Sequence, residues 1–215
     1  MVMGLSSAVQ AMVARRYGEG RCEESAAPVR GGLLLALLIG LPLTLFFYLI
    51  CEDFLSLITQ QPDVLAVAVP YFHFRVLAIV AVGVSLSYRG YWNGIGQAWV
   101  YLRLLVLLHC FNVFVSYGLI FGEFGMPAMG APGAGLGTTV ALFAGALIYT
   151  LITFRRFSKR VDRKKEPIID IAVVKNLLRL STPSSAQQAM FACSVMLLYG
   201  IIARIGTQEL AIAQV

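Results

Sequence analysis

Charge is scarce in this 215-residue chain. Only 13% of its residues are Asp, Glu, Lys or Arg, against about 25% in an ordinary soluble domain, while 59% are hydrophobic. A soluble fold would have to bury nearly every side chain, so composition excludes that class. The eleven acids, from Glu19 to Glu209, all fall between the long apolar runs or at their ends, and no run carries a carboxylate. Cys22, Cys51, Cys110 and Cys193 lie far apart without C-x-x-C spacing, which excludes a zinc site and a disulfide framework. G-x-S-x-G, H-E-x-x-H and a glycine loop ending in G-K-[ST] are all missing, and with them the common hydrolase, metalloprotease and phosphate-loop signatures. The chain reads as a non-enzyme with no resident cofactor.

What is present is a series of apolar runs close to the roughly 20 residues that a membrane-crossing helix needs. They cover Gly31–Cys51, Val64–Tyr88, Val100–Phe121, Gly133–Phe154 and Pro183–Ala203. Pro28 suits the start of the first, because proline lacks the N–H that a helix start leaves unpaired. Pro70 predicts a kink in the second, and Arg75 is expected to snorkel toward the outer surface. Met1–Ala14 is apolar but too short to cross. It fits either the cytoplasmic end of a helix whose beginning is missing or an interfacial helix anchored by Arg15 and Arg16.

Basic residues give the runs a direction. Arg15, Arg16, Arg21 and Arg30 lie before the first run, Arg89 and Arg103 between the second and third, and a dense group from Arg155 to Arg179 between the fourth and fifth. Only Arg75 and Arg204 of the seventeen Lys and Arg fall elsewhere. Since Lys and Arg in short loops are retained in the cytoplasm, loops 15–30, 89–103 and 155–179 are expected inside, and Cys51–Pro62 and Gly122–Pro132 outside. The net charge of +6 is thereby absorbed by topology and implies no nucleic-acid partner. The partner implied is the lipid bilayer, and the fold class is an all-α, multi-pass helical bundle. Gly90/Gly94 and Gly133/Gly137 are G-x-x-x-G pairs that let helices approach closely. Tyr71, Phe72, Tyr91, Trp92, Trp99 and Tyr101 cluster near run ends, as interface anchors do.

The order of motifs resembles one family. Gly4-Leu5-Ser6-Ser7 through Arg15-Arg16-Tyr17-Gly18-Glu19-Gly20 is similar to the end of the second helix of multidrug and toxic compound extrusion (MATE) transporters. Tyr88-Arg89-Gly90-Tyr91-Trp92-Asn93-Gly94-Ile95-Gly96-Gln97 resembles the end of that family's fourth helix. Asn112–Gly122, the Gly125–Gly130 turn and Gly133–Thr138 resemble helix five, the outer loop and the start of helix six. Ser181-Thr182-Pro183 and Ile205–Ala211 resemble helix seven and the opening of helix eight.

The resemblance implies a twelve-helix antiporter of two lobes in the cell (inner) membrane. Such proteins export cationic or amphipathic small molecules in exchange for protons or sodium ions. The expected division is N-lobe helices over 1–157, a cytoplasmic inter-lobe connector over 158–180, and the start of the C-lobe over 181–215. The chain would then be a fragment, inactive alone, whose remaining partners are the missing helices of the full-length transporter. A lipid-linked oligosaccharide flippase of the same superfamily is the alternative, but it calls for more cationic residues in the central cavity than Arg75. A non-transporting membrane scaffold is a further alternative.

His109, Asn112 and Ser116 share one helix face by their i, i+3, i+7 spacing. Asn112 matches an asparagine that many family members place in the N-lobe cavity. Ser116 stands where relatives often carry Asp or Asn, and Thr138 matches a cavity-facing threonine of helix six. Gln187 and Gln188 follow Pro183 by one turn, and Gln187 is assigned to the cavity. The competing reading of Asn112, Ser116 and Thr138 is interhelical hydrogen bonding, at about 0.6 kcal/mol each. For His109 it is a structural histidine in an apolar helix.

Overall fold

The computed structural model describes residues 2–57, 59–160 and 170–205. Seven α-helices account for most of them: α1 Val2–Gly18, α2 Ala26–Leu49, the short α3 Cys51–Ser56, α4 Pro62–Gly94, α5 Ala98–Phe121, α6 Ala131–Arg160 and α7 Ile171–Ile205. A 3-10 turn at Glu23–Ser25 leads into α2. Among the described residues there is no strand. Four segments are long and apolar enough to cross a membrane: Glu23–Leu49, Pro62–Gly94, Ala98–Phe121 and Ala131–Phe157. They coincide with the first four expected runs.

The fifth expected run, Pro183–Ala203, is helical but does not form a helix of its own. It belongs instead to one long helix, α7, which passes through Pro183. The hydroxyls of Ser181 and Thr182 both donate to the Leu178 carbonyl within this helix. The expected inter-lobe connector is helical to Arg160 and again from Ile171. Its middle, 161–169, and the expected opening of helix eight beyond Ile205 lie outside the described residues.

Short turns make successive long helices antiparallel. Gly122 ends α5 in the left-handed conformation (φ 77°), where a side chain would be strained. Its N–H donates to the Gly118 carbonyl, and the Met129 N–H then reaches back to the Leu119 carbonyl. At the other end, Gly96 (φ 73°) turns α4 into α5. The helix ends that carry Arg15, Arg16, Arg30, Arg89, Arg103, Arg155 and Arg156 therefore gather at one end of the bundle. The turns at 50–61 and 122–130 occupy the other.

The core sits at the basic end, where α1 is wedged between α4 and α7. Val9 and Val13 of α1 are fully buried, which rules out the interfacial-helix reading of the N-terminal segment. Gly90 and Gly94 make that packing possible. A Cβ on Gly90 would sit 2.9 Å from the Val9 Cβ, and one on Gly94 would sit 2.8 Å from a Val13 methyl. The second pair is used in the same way, since a Cβ on Gly137 would meet the Ser116 backbone at 2.8 Å.

One expectation fails here. Tyr91 and Trp92 are core residues rather than interface anchors, each only 3% exposed. The Trp92 Nε1 donates to the Thr153 Oγ1 at 3.2 Å, and Arg156 stacks over the indole while donating to the Gln97 Oε1 at 2.8 Å. Close approach of α1 at Gly90 and Gly94 draws this stretch inward, and only Trp99 and Tyr71 of the six keep large exposure. Arg75 is partly enclosed. Its side chain is half-buried, and one guanidinium nitrogen is enclosed with no hydrogen-bond partner among the described residues.

Candidate functional site

The bundle leaves space where two helices share a neighbour without touching each other much. Both α4 and α5 pack along α6, but α4 meets α5 only sparsely. The result is a cavity of about 220 Å³ between the three, with His109, Asn112 and Thr138 on its wall. Each helix contributes one face at helical spacing. These faces are Val82, Ser85 and Leu86 from α4, Tyr101, Leu105, Leu108, His109 and Asn112 from α5, and Thr138, Ala141, Leu142, Gly145 and Tyr149 from α6.

The structure thus brings together three of the five expected site residues. Ser116 is one turn beyond the wall, and its hydroxyl donates to the Asn112 Oδ1 at 2.9 Å. That bond occupies the acceptor of Asn112 and leaves its NH₂ without a partner among the described residues. The Thr138 hydroxyl is spent on its own helix, donating to the Ala134 carbonyl at 2.9 Å. The cavity is therefore apolar with one free amide donor, one imidazole and the Ser85 and tyrosine hydroxyls. No carboxylate and no cation line it. Hydrogen-bond donors set in an apolar wall are the usual means of orienting a small ligand.

Gln187 lies elsewhere. It lines a second groove, of about 440 Å³, between α1, α4 and α7, together with Ser6, Gln10, Ser184, Gln188 and Arg89. The two spaces are neighbours, because Leu86 of α4 lines both. Arg89 lines the second groove and stacks 5.2 Å from the centre of the Tyr101 ring, which lines the first. Glutamine, serine and arginine make this groove markedly more polar than the α4–α6 cavity.

Sequence reasoning missed the aromatic end of the cavity. Tyr149 stacks between Tyr88 and Tyr101, with ring centres 6.3 Å apart on either side, and its hydroxyl donates to the Tyr101 carbonyl at 3.3 Å. A signal was available: Thr138, Ala141, Leu142, Gly145 and Tyr149 trace one face of α6, and Tyr149 is the only one of them with both an aromatic ring and a hydroxyl. Among the described residues no group of three or more His, Cys, Asp or Glu converges to hold a metal.

Known proteins resemble this chain along nearly its whole length. The profile of the MatE family matches residues 1–118. A probable multidrug resistance protein NorM of Agrobacterium fabrum is 30% identical over 97% of the chain, which corresponds to 45% of that protein. The multidrug resistance protein PmpM of Pseudomonas aeruginosa is 29% identical over 94% of the chain and 43% of its own length. Among solved structures, a MATE protein in a bent conformation superposes with a TM-score of 0.83 at 19% identity, covering 99% of this chain and 47% of that one. The outward-facing form of a multidrug resistance MATE family transporter of the MOP superfamily gives 0.81 at 20% identity, covering 94% and 44%. The chain spans a little under half the length of these relatives. With a family profile covering more than half its residues and the same helical bundle as MATE structures, the chain is an integral membrane protein that belongs to the MatE family.

Proposed function

We propose that this chain supplies most of one lobe of a secondary active multidrug exporter. In this reading residues 1–157 form the N-lobe, 158–180 the inter-lobe connector, and 181–215 the start of the second lobe. The exporter moves cationic or amphipathic compounds out of the cell in antiport with protons or sodium ions. Two lobes rocking about a shared site provide alternating access. The observation that carries the reading is the α4–α6 cavity, where Asn112, His109 and Thr138 line an otherwise apolar space. A wall of this kind suits flat amphipathic molecules, which bury their rings against Leu105, Leu142 and Tyr149 and accept one hydrogen bond from the Asn112 amide. The absence of a cationic side chain from that wall favours this substrate class over an anionic lipid-linked sugar.

The protein is placed in the cell (inner) membrane with its basic end in the cytoplasm. A cysteine introduced at Met126 should then be labelled from outside the cell, and one at Ser158 only after permeabilisation. The reverse pattern would invert the assignment. The functional test compares two variants of the protein encoded by the whole gene. Asn112→Leu should cut drug efflux severely at near-normal membrane abundance. Leu147→Ala, on the outward face of α6 where Leu147 is 60% exposed, should leave efflux intact. Full efflux in Asn112→Leu, or loss only in proportion to lost protein, would reduce Asn112 to an interhelical contact.

A further inference from the structure

At the basic end of the bundle, four arginines converge on one groove. Between α1, the turn that follows it and α7 lies a space of about 700 Å³ lined by Arg15, Arg16, Arg21 and Arg179. Its inner wall is apolar, formed by Ala11, Met12 and Leu180. No acidic side chain lines it. Glu19 pairs with Arg15 and Arg21, and Glu24 with Arg21, so among the described residues the groove's arginines without an ion pair are Arg16 and Arg179. Arg16 gives one N–H to the Glu24 carbonyl at 2.6 Å and keeps its remaining donors. Arg179 has no hydrogen bond or ion pair among the described residues, and Lys175 stands one turn before it on α7. These guanidinium groups come from three elements, so the groove is built by the tertiary fold rather than by one run of sequence.

We propose that this groove binds the phosphodiester headgroup of an anionic phospholipid. Guanidinium groups match phosphate oxygens in bidentate fashion, and basic pockets between helices at the cytoplasmic side of a membrane suit such headgroups. The lipid is chosen over free phosphate for two reasons on the same wall. The groove sits at the basic end of the bundle, and its floor of Ala11, Met12 and Leu180 offers apolar surface on which the upper part of an acyl chain can lie. Bound there, one lipid bridges α1, of the first lobe, to α7, which opens the second.

The test uses the protein expressed from its whole gene, purified in neutral detergent and titrated with phosphatidylglycerol, phosphatidylcholine or inorganic phosphate, with bound species read by native mass spectrometry. Phosphatidylglycerol should be retained in preference to phosphatidylcholine, and Arg179→Gln should weaken it about tenfold, the size expected for losing one charge-assisted contact. Arg16→Gln should weaken it comparably. Arg103→Gln, at the same end but stacked on Trp99 away from the groove, should leave binding unchanged. Equal retention of the two lipids, or equal losses from Arg103→Gln and Arg179→Gln, would overturn the site in favour of diffuse surface charge. Displacement of the lipid by millimolar inorganic phosphate would overturn the lipid assignment in favour of a free-anion site.

Discussion

The seam between α1 and α4 and the gap between α4 and α5 are built on the same helix, yet they pack in opposite ways. Along the seam, Gly90 and Gly94 remove side chains so that Val9 and Val13 press directly on the α4 backbone and are fully buried. Across the gap, α5 leans on α6 instead, and a cavity remains with Asn112 and His109 on its wall. One face of α4 therefore serves as scaffold and the other as wall. Small residues in a membrane bundle set helix distance, and here they decide which face stays rigid.

The largest expected effect breaks the rigid side. In Gly90→Val the new side chain would meet the Val9 Cβ at 2.9 Å and the Gln10 backbone nitrogen at 3.1 Å. Backbone atoms cannot yield as a side-chain tip can, so a loss of about 3 kcal/mol is expected. It should appear as a lowered melting temperature and a poor yield of monodisperse protein in detergent. Next comes Thr153→Val, which keeps the shape of the side chain but leaves the buried Trp92 N–H without its acceptor. That should cost about 1–3 kcal/mol, the penalty of an unsatisfied buried donor, measured by the same thermal shift.

Gly145→Ala probes the open side. Its Cβ would meet chiefly one Leu108 methyl, at 2.7 Å, and that methyl is the end of a flexible side chain. Stability should change by less than about 1 kcal/mol, while efflux of bulky substrates falls because Gly145 and Leu108 both line the cavity. A melting-temperature loss as large as that of Gly90→Val would erase the contrast between the two faces.

The smallest effect lies outside the membrane. Hydrogen bonds from Arg21 and then Arg15 hold the Glu19 carboxyl below its ordinary value of 4.5. A depressed carboxylate stabilises the folded state at pH values above its unfolded pKa, and the benefit is lost as pH falls through the lower folded pKa. Because the pair is fully exposed, Glu19→Gln should lower the melting temperature slightly at pH 7, and the difference should vanish on acidification below the ordinary carboxylate range. A difference that persists in acid would mean the turn is held by something other than this pair.

Much of this arrangement was legible in the sequence. The first four spans follow from run length, and the gathering of arginines at one end follows from their alternation between runs. Gly90/Gly94 and Gly133/Gly137 announced close helix approach, and the structure puts each pair against a neighbouring helix. Periodicity also placed Asn112 and His109 on one face, which is the face that lines the cavity. What the sequence could not give was the partner of each face. Tyr91 and Trp92 look like interface anchors until α1 is packed over them. Gln187 has the right chemistry for the cavity, but α7 packs against α1 and α2 rather than against α5 and α6, so it faces another groove.

The central claim, that the α4–α6 cavity is a substrate site, is tested most directly by thiol accessibility. Asn112→Cys and Val113→Cys would each be made in the whole-gene protein with its native cysteines replaced. Both positions lie on α5, but Val113 is 69% exposed and does not line the cavity. A charged, membrane-impermeant thiol reagent applied to open membrane fragments should modify the Asn112→Cys protein and spare the Val113→Cys protein, and a cationic aromatic dye should slow the first reaction. Equal reactivity at the two positions, or modification of Asn112→Cys that no dye protects, would contradict the account.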